Sequence, residues 1–177
     1  MRIISGKFKG KKFYPPADKW PTRPTTDFAK EGLFNILQNQ FDISTLNVLD
    51  LFCGTGNHTF EFASRGCTSV TCVDMHSPAI TFIQKMVNEM KLEGIQIHNS
   101  DVLIFVKNCT KQFDYIFAGP PYPLTWIDEI PNLIFENKLL KTDGTFVLEH
   151  NSKHNFEQHA RFIQLRKYSG TYFSFFK

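Results

Sequence analysis

The chain has 177 residues, 42% of them hydrophobic, and a formal net charge of +3. This length supports one domain with a sizeable core, and the composition excludes a disordered or low-complexity protein. No apolar run reaches transmembrane length and the start MRIISGKFKGKK lacks a secretory hydrophobic region, so no membrane partner is expected.

Four cysteines (Cys53, Cys67, Cys72 and Cys109) form no CxxC pair, which suits reduced thiols in a cytoplasmic protein. His150 and His154 lie four apart without a third ligand type nearby, so no metal is expected. The 19 phenylalanines fall mostly in apolar segments and read as core. The charge is uneven. Residues 1–31 carry eight Lys or Arg against three acids, while the remainder is slightly acidic. A basic lobe on a near-neutral body suits a polyanionic partner.

In chain order, GKFKGKKFYPP reads as a small basic β-hairpin punctuated by Gly6 and Gly10. WPTRPTT is extended, since each proline restricts the residue before it. A helix is expected over 27–39 with Asp27 as its cap and Leu33, Phe34, Ile36 and Leu37 as its apolar stripe. Strands are expected over 47–52, 69–74, 95–101, 113–118 and 144–150. Helices come between them: one over 57–65, one capped by Ser77 with Pro78 in its first turn, a short one after residue 101, and one over 127–139. Ala79, Ile83, Met86 and Met90 mark the buried face of the second. This alternation implies a parallel sheet with helices on both faces. The tail ARFIQLRKYSGTYFSFFK reads as an antiparallel hairpin around Ser169-Gly170, closing one edge.

Ligands of such sheets sit beyond the carboxyl ends of the strands. The first strand ends in Asp50 and FCGTGN, where Gly54 and Gly56 let backbone approach a ligand. The second ends in Asp74, 20 residues after Gly54, the spacing at which an acid meets ribose hydroxyls. The third ends in Asn99-Ser100-Asp101, suited to a purine edge, and the fourth in AGPPY. The full G-x-G-x-x-G pattern is not completed, which argues against a nicotinamide oxidoreductase and for another nucleoside cofactor. Cys53 reads as a small packed residue in the loop.

These segments resemble class I S-adenosylmethionine-dependent methyltransferases. Within them the chain resembles the RsmD family, the guanine-N2 methyltransferases of 16S ribosomal RNA. RIISGKFKGKKF, RPTTDFAKEGLFNIL, VLDLFCGTGN, EFASRGC, CVD, FDYIFAGPPY, VLEH and KYSGTYFSFF carry the likeness, which covers nearly the whole chain.

The resemblance implies a Rossmann-like, seven-stranded, mostly parallel sheet with an antiparallel C-terminal hairpin and a basic N-terminal hairpin extension. Residues 1–26 would be an RNA-binding extension and 27–177 the methyltransferase domain. Asp50, Gly54 and Gly56, with Phe52, Cys53 and Thr55 of the same loop, would hold the methionine part of S-adenosylmethionine. Asp74 would hold its ribose, and Ser100 and Asp101 its adenine. Arg2, Lys7, Lys9, Lys11, Lys12 and Arg23 would meet phosphates, with Thr25 and Thr26 in the same RNA-binding segment. The product would be S-adenosylhomocysteine. The partner would be 16S rRNA, met by a monomer on a partly assembled small subunit.

A purine amine is a poor nucleophile, because its lone pair is spread into the ring. It needs fixed hydrogen-bond acceptors and fixed aim. In the family's Asp/Asn-Pro-Pro-Tyr/Phe loop the first side chain and the first proline carbonyl are those acceptors, and the aromatic residue stacks on the extruded base. Here Pro120, Pro121 and Tyr122 match, but Gly119 stands at the acceptor position. Either a nearby carboxylate such as Asp128 substitutes, or the chain is a catalytically impaired cofactor- and RNA-binding relative. An adenine-N6 DNA methyltransferase shares the Pro-Pro-Tyr loop but needs a target-recognition domain, for which the length leaves little room.

Overall fold

The computed structural model describes residues 1–15 and 25–177; Arg23, Lys19 and most of the WPTRPTT loop lie outside them. Asp27–Gln40 form α1, followed by a single 3-10 turn and β1 at Val48–Leu51. Next come α2 at Asn57–Ser64, β2 at Val70–Asp74, α3 at Ser77–Met90 and β3 at Ile95–Asn99. The second half runs through α4 at Val102–Asn108, β4 at Phe113–Ala118, α5 at Ile130–Glu136 and β5 at Leu140–His150. β6 at Phe162–Tyr168 and β7 at Thr171–Phe176 close the chain.

The seven strands lie in the order β3-β2-β1-β4-β5-β7-β6. β1 to β5 pair in parallel, and β7 inserts antiparallel between β5 and β6. The chain therefore reverses its direction of travel across the sheet between β1 and β4, where ligand crevices of such sheets open.

Strand alternation divides the core between the two faces. Leu49 and Leu51 of β1 join Ile116 and Ala118 of β4 in one cluster, with Val102 and Val106 of α4 and Ile130 and Ile134 of α5. Val48, Tyr115 and Phe117 point the other way, into a cluster with Leu33, Phe34 and Leu37 of α1 and Phe62 of α2. Most of the phenylalanines are buried, as their placement in the sequence implies.

Several boundaries differ from the sequence expectation for physical reasons. Thr26, not Asp27, caps α1: its hydroxyl accepts from the Ala29 N–H, while Asp27 pairs with Arg2 at 3.4 Å. His76 precedes α3 as its cap residue, and the Ser77 hydroxyl donates to Asn99 instead. The single helix expected over 127–139 is a 3-10 turn at Ile127–Glu129 followed by α5. Pro131 explains the break, since proline is tolerated in a first turn and not further along.

The N-terminal segment is looser than a two-stranded hairpin. Among the described residues it pairs through one antiparallel bridge, Arg2 to Lys12. Ile3 and Phe13 donate across it to the Lys11 and Met1 carbonyls, and a second set of amides is drawn onto α2. Glu61 accepts from the Ile4 and Ser5 N–H groups at 2.8 and 3.0 Å, and Ser64 accepts from Lys7 and Phe8. Gly6 lies at φ +83°, and a Cβ there would stand 1.9 Å from the Ser64 carbonyl oxygen, so only glycine permits this approach. Ile3 and Phe13 are buried beside Phe60 and Ile83, while Arg2, Lys7, Lys9, Lys11 and Lys12 are exposed.

Candidate active site

A cavity of about 380 Å³ opens beyond the carboxyl ends of β1, β2, β4 and β5. Its size suits a nucleoside-sized ligand. From β1 come Asp50 and the loop Phe52 to Thr55, and from β2 comes Asp74. From β4 come Gly119, Pro120, Pro121 and Tyr122, and from β5 comes Glu149. Thr25 completes the rim from the N-terminal side.

The loop after β1 is held in a bent form by its own backbone. Phe52 has φ +58°, a costly conformation for a bulky residue, and Gly54 and Gly56 are also left-handed. A Cβ on Gly56 would lie 2.8 Å from Phe60 and 3.0 Å from Ile83, so the turn cannot take a larger residue without displacement. Gly56 itself is buried behind the cavity, at the start of α2. Asp74 ties the loop down, with Oδ2 accepting from the Gly54 N–H and Oδ1 from the His76 N–H, both at 2.8 Å.

Asp50 is 1% exposed and accepts from the Thr59 N–H and hydroxyl at 3.1 and 2.6 Å. Burial raises its carboxyl to about 7, against the pull of these two donors. Cys53 is buried and its thiol is pushed up by that burial, as a packed residue's would be.

Two expected ligand residues sit elsewhere. Asp101 caps α4, accepting from the Leu103 and Ile104 N–H groups at 2.8 and 3.2 Å. Ser100 faces a neighbouring groove with Gln96, His98 and Phe105. Neither lines the main cavity. Asp128, considered as a substitute carboxylate for position 119, is exposed, pairs with His154 at 2.8 Å, and is also away from the cavity.

Five residues on the wall, Asn57, His58, Phe117, Pro123 and Glu149, were not singled out as site residues by sequence reasoning. Glu149 lies in VLEH, whose position at a strand end was the available signal. Asn57 links the cavity to the N-terminal side: its amide donates to the Thr25 carbonyl and its Oδ1 accepts from the buried Lys30 ammonium. His58 stacks flat on Phe117, with centroids 3.6 Å apart and planes at 6°. Burial and the Lys30 charge press its imidazole well below its ordinary range, and among the described residues its Nε2 has no partner.

The exposed basic residues of the N-terminal segment lie outside the cavity but are joined to its rim. The Thr55 hydroxyl donates to Met1 Sδ at 3.3 Å, and Thr25 donates to Glu149. The N-terminal segment thus reaches the cleft through Met1 and through Arg2, whose carbonyl accepts from Lys30 beside Asn57. Such an arrangement can hold a polyanion outside while a base enters.

A family model described as conserved hypothetical protein 95 matches residues 1–177. A Buchnera aphidicola protein named ribosomal RNA small subunit methyltransferase D is 30% identical over 155 residues, covering 88% of this chain and 78% of that protein. A Bacillus subtilis protein named putative rRNA methyltransferase YlbH is 34% identical, covering 85% and 83% respectively. The solved structure of the Escherichia coli protein described as putative methyltransferase yhhF superposes with a TM-score of 0.85 at 24% identity. It covers 99% of this chain and 96% of that one.

Proposed function

The chain belongs to the family described as conserved hypothetical protein 95, and from that membership we propose that it methylates the exocyclic N2 amine of a guanine in 16S ribosomal RNA, with S-adenosylmethionine as cofactor. One observation carries the reading. A single cavity joins the glycine loop, Asp74 and the Pro-Pro-Tyr loop at the sheet's topological switch. The names of the relatives support the ribosomal RNA substrate.

The residues present fit the cofactor. The loop Phe52 to Gly56 is a tight cradle that a Cβ at Gly56 would disrupt, and Asp50 and Asp74 offer carboxylates for an amine and for hydroxyls. When bound, S-adenosylmethionine supplies an electrophilic methyl group on a sulfonium sulfur. Asp50 and the loop would hold the methionine part, and Asp74 the ribose. Ser100 and Asp101, beside the neighbouring groove, would meet the adenine. The Pro120 carbonyl would accept a hydrogen bond from the target amine, aiming its nitrogen and drawing electron density onto it, and the proton would pass to solvent once the methyl group is transferred. Tyr122 would stack on the base and exclude water from that face.

Arg2, Lys7, Lys9, Lys11, Lys12 and Arg23 would hold phosphates, with Thr25 and Thr26 at the inner end of the same RNA-binding extension. The substrate would be a partly assembled small subunit in the cytoplasm, recognised by shape and charge. The protein would act as a monomer and without a metal.

Gly119 favours one second reading. With no side-chain acceptor at this position, the protein could retain cofactor and RNA binding while losing transfer. Calorimetry with S-adenosylmethionine, paired with tritiated-methyl transfer to undermethylated small subunits, separates the two. Label in RNA is expected; binding with no label would overturn the enzyme in favour of a binding protein. Label in duplex DNA would point to an adenine methyltransferase instead.

A further inference from the structure

We propose that Glu149 reads the Watson–Crick edge of the target base and makes the site specific for guanine. The inference rests on the methyltransferase reading and names a residue for its base selectivity.

Glu149 is the penultimate residue of β5, 6% exposed, on the wall of the cavity that contains Gly119 and Tyr122. A carboxylate so placed is costly unless it is held. The Thr25 hydroxyl donates to its Oε2, and the Tyr122 hydroxyl donates to its Oε1 at 3.3 Å. The second contact sets the geometry. It fixes the carboxylate at the hydroxyl end of the ring on which the base would stack. A base lying on that ring turns one edge toward Glu149.

Guanine's Watson–Crick edge carries two adjacent donors, N1–H and N2–H. A carboxylate accepts both in a bidentate pair. Adenine offers an amine beside the N1 lone pair, which would face the carboxylate with like charge. A site built this way rejects the wrong edge, because its polar group is left badly paired. The same contact bears on Gly119. Glu149 would take one N2 hydrogen from that edge and leave the other for the Pro120 carbonyl and for the side-chain acceptor that position 119 lacks. Asp128 cannot serve, being paired with His154 outside the cavity.

The test is a change of base preference. Tritiated-methyl transfer by the unaltered protein first maps the labelled guanine in unmethylated 16S rRNA. Small subunits are then reconstituted on 16S rRNA that carries guanine or, through a ligated synthetic segment, 2-aminopurine at that position. The analogue keeps the N2 amine but has a lone pair in place of N1–H. The unaltered protein is expected to favour guanine by about tenfold or more. Glu149→Gln presents one donor and one acceptor, which match 2-aminopurine, so its preference should move toward the analogue by a similar factor. Glu149→Asp, which keeps the charge but shortens the reach, should lose rate and still favour guanine. S-adenosylhomocysteine binding by calorimetry confirms that each variant is folded.

An unchanged guanine-to-analogue ratio in folded Glu149→Gln overturns the proposal while leaving the methyltransferase reading intact. Absence of label with the unaltered protein and with Gly119→Asp alike overturns that reading, and the proposal with it.

Discussion

Gly119 adopts an ordinary backbone conformation, so what an added side chain would meet decides its effect. A Cβ there would lie 3.0 Å from Phe117 Cε1, and Phe117 is itself stacked on His58 at 3.6 Å. An aspartate therefore fits if the Phe117 ring gives by a few tenths of an ångström, at a cost of about 1 kcal/mol. In return it restores a fixed acceptor, and such groups are worth roughly 100- to 1,000-fold in rate. Gly119→Asp is expected to raise methyl transfer by up to that factor while melting slightly earlier. If it transfers no faster than its parent, position 119 is not the missing acceptor. Asp50 carries the second prediction at this scale. Its carboxyl is raised to about 7 by burial, whereas an unfolded chain releases that proton near pH 4. The folded state thus holds the extra proton between these values. The resulting stability is fully present below about pH 4 and is lost as pH rises through 7, by a few kcal/mol in all. Urea unfolding at a series of pH values should show this decline, and Asp50→Asn should flatten it; parallel profiles would refute the assignment. The glycine at 119 was visible in the sequence as a departure. The stacked His58 beneath its neighbour was not, because the contact joins β4 to a helix more than fifty residues earlier.

At the scale of elements, β4 ends where the sequence expectation put it, at Ala118, because its apolar run stops at Gly-Pro-Pro. The N-terminal segment was less legible. Its alternation of basic and apolar residues was readable, but not the partner that takes its amides. That partner is Glu61, fully buried and serving Ile4, Ser5, Lys30 and Arg65 at once. Burial draws the Lys30 ammonium below its ordinary range, while the Glu61 charge resists. Nothing in the sequence marks a lysine on an apolar helix face as the pin for a segment 28 residues away, where its Nζ donates to the Arg2 carbonyl at 2.7 Å. Docking also needs the close approach at Gly6. Gly6→Ala introduces a Cβ 1.9 Å from a backbone oxygen and should undock residues 1–15. Stability should fall by about 1–3 kcal/mol. RNA affinity should fall about tenfold through lost preorganisation, while S-adenosylhomocysteine still binds. Hydrogen exchange over residues 1–15 reports the undocking directly. Unaltered protection there, with unaltered RNA affinity, would count against a docked RNA-binding segment.

For the whole molecule, the proposed function divides the labour between two kinds of recognition. The strand ends build a cleft whose polar groups are few and fixed, suited to choosing a base. The N-terminal segment presents Lys7, Lys9, Lys11 and Lys12 to solvent from a docked, partly buried backbone, suited to holding phosphates without choosing a sequence. The succession of strands and helices along the chain and the strand-end residues were legible because hydrophobic period and turn chemistry are local. The joining of the two regions through Thr25, Asn57 and Glu149 was not, since it depends on side chains meeting across the fold. The division makes salt dependence a test that separates them. Each phosphate contact to single-stranded RNA contributes about −0.7 to the slope of log affinity against log salt. Replacing Lys7, Lys9 and Lys11 together by alanine should therefore flatten that slope by about 2, with equal effect on cognate and unrelated RNA. Glu149→Gln should leave the slope nearly unchanged and alter only which base is methylated. Filter binding across about 50 to 300 mM potassium chloride gives the slopes. A triple variant that keeps the parent's slope would move the phosphate contacts away from this segment, because removing lysines that displace condensed cations from phosphates must reduce the salt dependence.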